Sequence, residues 1–186
     1  MRRTRRATSS GSTWRVRALS KIPNAKDEKR LYFAYGSNLS LAQIKLRCPD
    51  HKPKGTAVLS NHRVVCNKKG DNGVDFYAGI VCSPGDEVLG ALYHLTEEDI
   101  TRLDDSEGCI EDGRHYIRNE KDFFVRNRER GEVINAFTYF VVKPLVPKKP
   151  TTVYAEKIFQ GCRDHGFPDE YMRNLRKWFL MEPQAL

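Results

Sequence analysis

The sequence predicts an α+β fold, a small and mostly antiparallel β-barrel with peripheral helices. Three observations carry this. About six short apolar or alternating runs read as strands, and turn residues join several of them in hairpins. The helical stretches are inserted between groups of strands and do not alternate with them, which argues against a doubly wound parallel sheet. Finally, 186 residues are enough for one packed core without disulfide or metal staples.

The elements follow in order. Leu31-Tyr32-Phe33-Ala34-Tyr35 is a short apolar, aromatic run and reads as a buried strand, stopped by Gly36-Ser37-Asn38. Ser40 is placed to cap a short helix from Leu41 to about Arg47, ended by Pro49. Thr56 to Cys66 alternates loosely and reads as a strand, with a turn at Lys69–Gly73. Phe76 to Cys82 is the next strand; Ser83-Pro84-Gly85-Asp86 closes it, and Val88 to Leu95 follows as its hairpin partner. Thr96 then caps a helix with acids in its first turn, where they suit the positive end, and Gly108 stops it. Glu97, Glu98 and Asp99 are read as that capping turn. Tyr116–Val125 and Val133–Val142 flank Arg128–Gly131 as a hairpin. Lys143 to Pro150 is punctuated by prolines and extended. Thr152 caps a helix through Cys162, Gly166 stops it, and Pro168 opens the last helix, through Leu180.

The formal charge of +8 is concentrated in one place. Residues 1–26 hold eight Arg and Lys and no acid, while the rest of the chain carries 24 basic and 24 acidic side chains. Residues 1–29 are therefore a basic leader, and residues 30–186 a domain close to charge-neutral. The leader reads as a disordered extension, as a mitochondrial transit peptide, or as a tether for an anionic surface. It lacks the apolar core of a secretory signal. A neutral domain is a poor phosphate tracker, and Arg114, Arg118, Phe123, Phe124 and Arg126 give only a faint basic-aromatic pattern. No nucleic-acid partner is expected. No run approaches the length of a membrane span. Five widely spaced cysteines with no C-x-x-C suit an intracellular address, with neither metal nor cofactor.

Two segments have the residue types that chemistry needs. After the first strand, the backbone amides of Gly36, Ser37 and Asn38 lead toward a helix start, where they suit a carboxylate or a developing oxyanion. The plainer reading is a strand-to-helix turn. Asp104-Asp105-Ser106-Glu107-Gly108 crowds three carboxylates at a helix C-terminus, against the macrodipole. Crowding and burial favour the protonated form of a carboxyl and so the making of a proton shuttle; the plainer reading is a solvated helix end. Tyr32, Tyr35, Tyr139 and Tyr154 each read as core more readily than as contact. Cys109, without an oriented His, reads as a structural thiol.

Together these segments are more specific than any one of them. Leu31–Leu39, Ala78-Gly79-Ile80 followed by Ser83–Val88 and Gly90, Leu103–Gly108, and Tyr154 with Gly161–Pro168 and Tyr171 resemble the gamma-glutamylcyclotransferases. The likeness runs in order over roughly residues 30–180. It implies a small β-barrel with flanking helices that turns a γ-glutamyl compound into 5-oxoproline, a lyase-type lactam formation. It also implies Glu107 as acid/base, Tyr32, Phe33, Ala34, Tyr35, Gly36, Ser37 and Asn38 as a substrate-binding stretch, and Tyr139 and Tyr154 as pocket tyrosines. The best-known branch is a cytosolic homodimer acting on γ-glutamyl dipeptides. Tyr35-Gly36-Ser37-Asn38 is closer to that branch than to the γ-glutamylamine branch. The alternatives are a γ-glutamylamine or biosynthetic protecting group as substrate, or a catalytically silent binding module.

Overall fold

The structure, a computed structural model, describes residues 30–109, 115–121 and 123–180; the basic leader and Arg114 lie outside the described residues. The chain runs β1 (Arg30–Ala34), a single 3-10 turn (Ser37–Leu39), α1 (Leu41–Arg47), β2 (Lys52–Lys69), β3 (Phe76–Leu95) and α2 (Glu97–Glu107). It continues with β4 (Tyr116–Asn119), β5 (Phe124–Asn127), β6 (Val133–Asn135), β7 (Thr138–Val141), α3 (Thr152–Asp164) and α4 (Asp169–Trp178). Five strands pair in the order β1-β3-β2-β5-β6, while β4 and β7 pair separately. Every ladder is antiparallel.

This is the α+β, mostly antiparallel architecture the sequence predicts. The sheet does not close as one continuous ladder. Its two ends are drawn together at a single bridge between Tyr32 and Phe137, where Phe33 N donates to Phe137 O and Phe137 N to Leu31 O, each at 2.8 Å. Phe137 stands between β6 and β7, so this contact ties the end of one sheet to the other.

The caps behave as local chemistry dictates. Ser40 Oγ accepts from Gln43 N at the start of α1, and Thr96 Oγ1 accepts from Asp99 N at the start of α2. Gly108 ends α2 in the left-handed region (φ 62°), which glycine adopts without steric cost. The cap of α3 is Thr151, one residue earlier than the sequence suggests, and that helix runs to Asp164.

Two strand readings need correction. Residues 76–82 and 88–95 do not form a hairpin with each other. They are halves of the 20-residue β3, which pairs with β2 along both. Ser83–Asp86 is a bulge opposite Asn61, between the pairs Ser60↔Glu87 and His62↔Cys82. Asn61 (φ 59°) and Gly85 (φ 86°) absorb the extra residues, Asn61 Oδ1 accepts from Gly85 N, and Ser83 Oγ donates to Asp86. The second hairpin is also split: β5 and β6 join the large sheet, whereas β4 and β7 pair with each other. Among the described residues there are therefore seven strands, against the about six expected.

Asp99 does more than cap. Its side chain is fully buried and accepts from Asp50 N, tying the loop after α1 to α2. Cys48, Cys66 and Cys162 are fully buried, and burial pushes each thiol up to about 12. At pH 8 their thiolate fraction is negligible. A maleimide pulse on the native protein should therefore label exposed Cys82 first among the described cysteines, and the three buried thiols only with denaturant. Mass spectrometry of tryptic peptides checks this.

Candidate active site

β1 ends at Ala34, and the next six residues turn the chain into α1 through the 3-10 turn. Asn38 is buried at the centre of that turn. Its Nδ2 donates to Tyr32 Oη and to Glu107 Oε1, both at 3.0 Å, while its Oδ1 accepts from Arg47 at 2.9 Å. Arg47, in the last turn of α1, also donates to Glu107 Oε1 at 2.7 Å. Asn38, Arg47 and Glu107 thus form a closed triangle across the 3-10 turn, α1 and α2. Both bonds fall on one oxygen of Glu107; Oε2 takes none from the described residues.

The three carboxylates of the acidic run part company. Asp104 pairs with Arg118 and accepts from Tyr139 Oη at 2.6 Å. Asp105 lines the outer cleft. Glu107, the last residue of α2, points inward and is 15% exposed.

Five tyrosines wall the recess beside it. Tyr35 Oη donates to Tyr139 O at 2.7 Å. Tyr116 Oη donates to Ala78 O at 2.7 Å, and Tyr154 Oη accepts from Ala78 N at 3.0 Å. Burial is the main cause that raises the phenols of Tyr32, Tyr35, Tyr116, Tyr139 and Tyr154 above their ordinary value. They therefore stay neutral at working pH.

The space has two parts. A recess of 20 Å³ is bounded by Tyr32, Tyr35, Gly36, Ser37, Asn38, Tyr139 and their neighbours. A cleft of 510 Å³ adds Arg47, Lys68, Asp71 and Tyr77. Ser37, Glu107, Tyr116 and Tyr154 border both, so Glu107 stands at the junction.

Of the residues picked from sequence, Tyr32, Tyr35, Gly36, Ser37, Asn38, Glu107, Tyr139 and Tyr154 meet at this space. Phe33 and Ala34 do not: both are fully buried in the core, where Phe33 stacks near Phe123. Gly36 has φ −105°, so no left-handed backbone demands a glycine there. A methyl group would stand 3.5 Å from Ala78 Cβ and 3.7 Å from the Tyr154 hydroxyl, on the wall of the recess. The amides of Gly36, Ser37 and Asn38 donate to no acceptor among the described residues. Cys109 is half-buried with its thiol raised mainly by burial, a poor nucleophile. Sequence reasoning missed Arg47, Tyr116 and Lys68. Arg47 carried only the weak signal of a cation in a last helical turn.

A family model described as gamma-glutamyl cyclotransferase, AIG2-like, matches residues 32–158. A gamma-glutamylcyclotransferase of Homo sapiens is 30% identical over 159 residues, 83% of this chain and 81% of the relative. One of Mus musculus is 32% identical over 153 residues, 80% of this chain and 78% of the relative. A solved structure of a gamma-glutamyl cyclotransferase superposes with a TM-score of 0.72 at 28% identity, covering 86% of this chain and 91% of that one.

Proposed function

Because the chain belongs to the gamma-glutamyl cyclotransferase, AIG2-like family, we propose that it converts γ-glutamyl-amino acids to 5-oxoproline and the free amino acid. The observation that supports this best is Glu107: one carboxylate oxygen is anchored by Arg47 and Asn38, and the other accepts from none of the described residues, at the junction of recess and cleft.

The substrate carries its own nucleophile. Its α-amine attacks the side-chain carbonyl carbon, a C–N bond closes the five-membered ring, and the amide bond to the departing amine breaks. Only the free amine attacks, so a base must first take a proton from the ammonium. The ring nitrogen sheds a second proton once the C–N bond has formed, and the departing nitrogen takes up two in all, leaving as an ammonium. A single carboxylate does both in turn, with no net change in protonation of the enzyme. Anchoring Glu107 through two bonds removes the rotational freedom that would spoil this relay. The walls hold the γ-glutamyl chain curled; such orientation contributes up to about 7–11 kcal/mol in ideal intramolecular cases. The amides of Gly36–Asn38, unpaired among the described residues, supply donors for an anionic oxygen of the substrate, the α-carboxylate or the tetrahedral oxyanion.

The test is direct. The purified protein should form 5-oxoproline and alanine in equal amounts from γ-glutamyl-alanine, and nothing from its N-acetyl derivative, whose nitrogen is blocked. If neither γ-glutamyl-amino acids nor γ-glutamylamines yield 5-oxoproline, the enzyme reading fails and a silent binding module takes its place. Turnover of the blocked substrate would remove self-attack from the mechanism.

A further inference from the structure

Lys68 is the unusual charge of the cleft. It lies near the end of β2 and is only 8% exposed. Its ammonium sits 5.2 Å from the ring centre of Tyr77 and 6.0 Å from that of Tyr116. It forms no ion pair with a described residue, because the nearby acids are engaged elsewhere. Asp71 pairs with His115 at 3.1 Å and Glu107 with Arg47 at 2.7 Å. Burial draws the Lys68 pKa down, while Asp71 and Glu107 pull it back up. Among the described residues the other cations of the cleft have partners: Arg47 has Glu107, and Lys157 has Gln43 at 3.3 Å. An ammonium on an almost wholly buried side chain, with ring faces but no ion-pair partner among the described residues, is held ready for an anion that enters the cleft.

Position says which anion. Lys68 lines the cleft but not the recess. If Glu107 protonates the departing nitrogen at the junction, whatever that nitrogen carries extends into the cleft. On an amino acid, the carboxylate is one carbon beyond the nitrogen. On a simple amine that place holds no charge. We propose that Lys68 is the specificity-determining residue of this site: it reads the carboxylate of the departing amino acid and so separates γ-glutamyl-amino acids from γ-glutamylamines. This rests on the cyclotransferase reading above.

The experiment compares γ-glutamyl-alanine with γ-glutamyl-ethylamide, the same amide with hydrogen in place of the carboxylate. Lactam formation is followed for the full chain and for Lys68→Met and Lys68→Arg. The wild-type protein should prefer the dipeptide. Lys68→Met should lower the dipeptide-to-ethylamide ratio of kcat/KM by roughly 10- to 100-fold, the worth of a hydrogen bond to a charged group, mainly through KM on the dipeptide. Lys68→Arg should keep part of the preference. A loss shared equally by both substrates, or no loss, overturns the Lys68 assignment and leaves the cyclotransferase reading standing. Failure of the wild-type protein to turn over either substrate overturns both. Product inhibition of the wild-type protein checks the point without a variant. Free alanine should compete far better than ethylamine, and equal inhibition overturns the proposal even if Lys68→Met does not fold.

Discussion

Glu107→Gln should lower kcat for lactam formation by at least about 10²–10⁴-fold, the range general acid–base catalysis supplies. The substitution keeps the size of the side chain and an oxygen to accept from Arg47 and Asn38. What it removes is a group able to take and return a proton. Substrate affinity, measured by calorimetry on the inactive variant, should stay near that of the parent. Its near-ultraviolet circular dichroism should be unchanged, because the triangle around residue 107 can still close. Near-normal turnover by pure Glu107→Gln would leave the mechanism without its proton carrier. Arg47→Met is the informative companion. It frees Glu107 to swing, so it should reduce kcat more than it alters KM.

Gly161→Ala should be nearly as damaging, by a different route. Gly161 lies in α3 against the 3-10 turn, and a methyl group there would stand 2.5 Å from the Leu39 carbonyl carbon and 2.6 Å from Ser40 N. These are backbone atoms and cannot rotate aside. Helix propensity alone would favour alanine by about 0.8–1.0 kcal/mol. Overpacking a tight contact typically costs about 1–3 kcal/mol, so the sum is destabilising unless α3 moves away. Moving α3 shifts the turn that holds Asn38 and, through it, Glu107. The expected outcome is a lower denaturation midpoint together with reduced kcat/KM. A variant as stable and active as the parent would mean that the helix and turn can separate without cost to the site.

The local features of the fold were legible because local chemistry decides them. The strand that stops just before Gly36, the Ser40 and Thr96 caps, and the Gly108 stop all follow from side chains within a few residues. The bulge at Ser83–Asp86 was not legible, because Ser-Pro-Gly-Asp has the composition of a hairpin turn. What makes it a bulge is Asn61, 24 residues away on β2. The site divides the same way. Glu107 and the Tyr35–Asn38 stretch could be picked by resemblance to a family. Arg47 and Tyr116 gain their roles from partners 60 and 38 residues distant, which no spacing rule reveals. Phe33 and Ala34 came in with their neighbours, although both are core.

The hold of Tyr116 and Tyr154 on Ala78 has a consequence beyond the recess. Ala78 offers both its N–H and its C=O to phenols rather than to another strand, so that flank of β3 is a sheet edge dressed by side chains. Two residues of the site wall thus also satisfy this buried edge, and removing their hydroxyls to widen the recess would leave a backbone N–H and C=O without partners, at a cost of about 1–3 kcal/mol each.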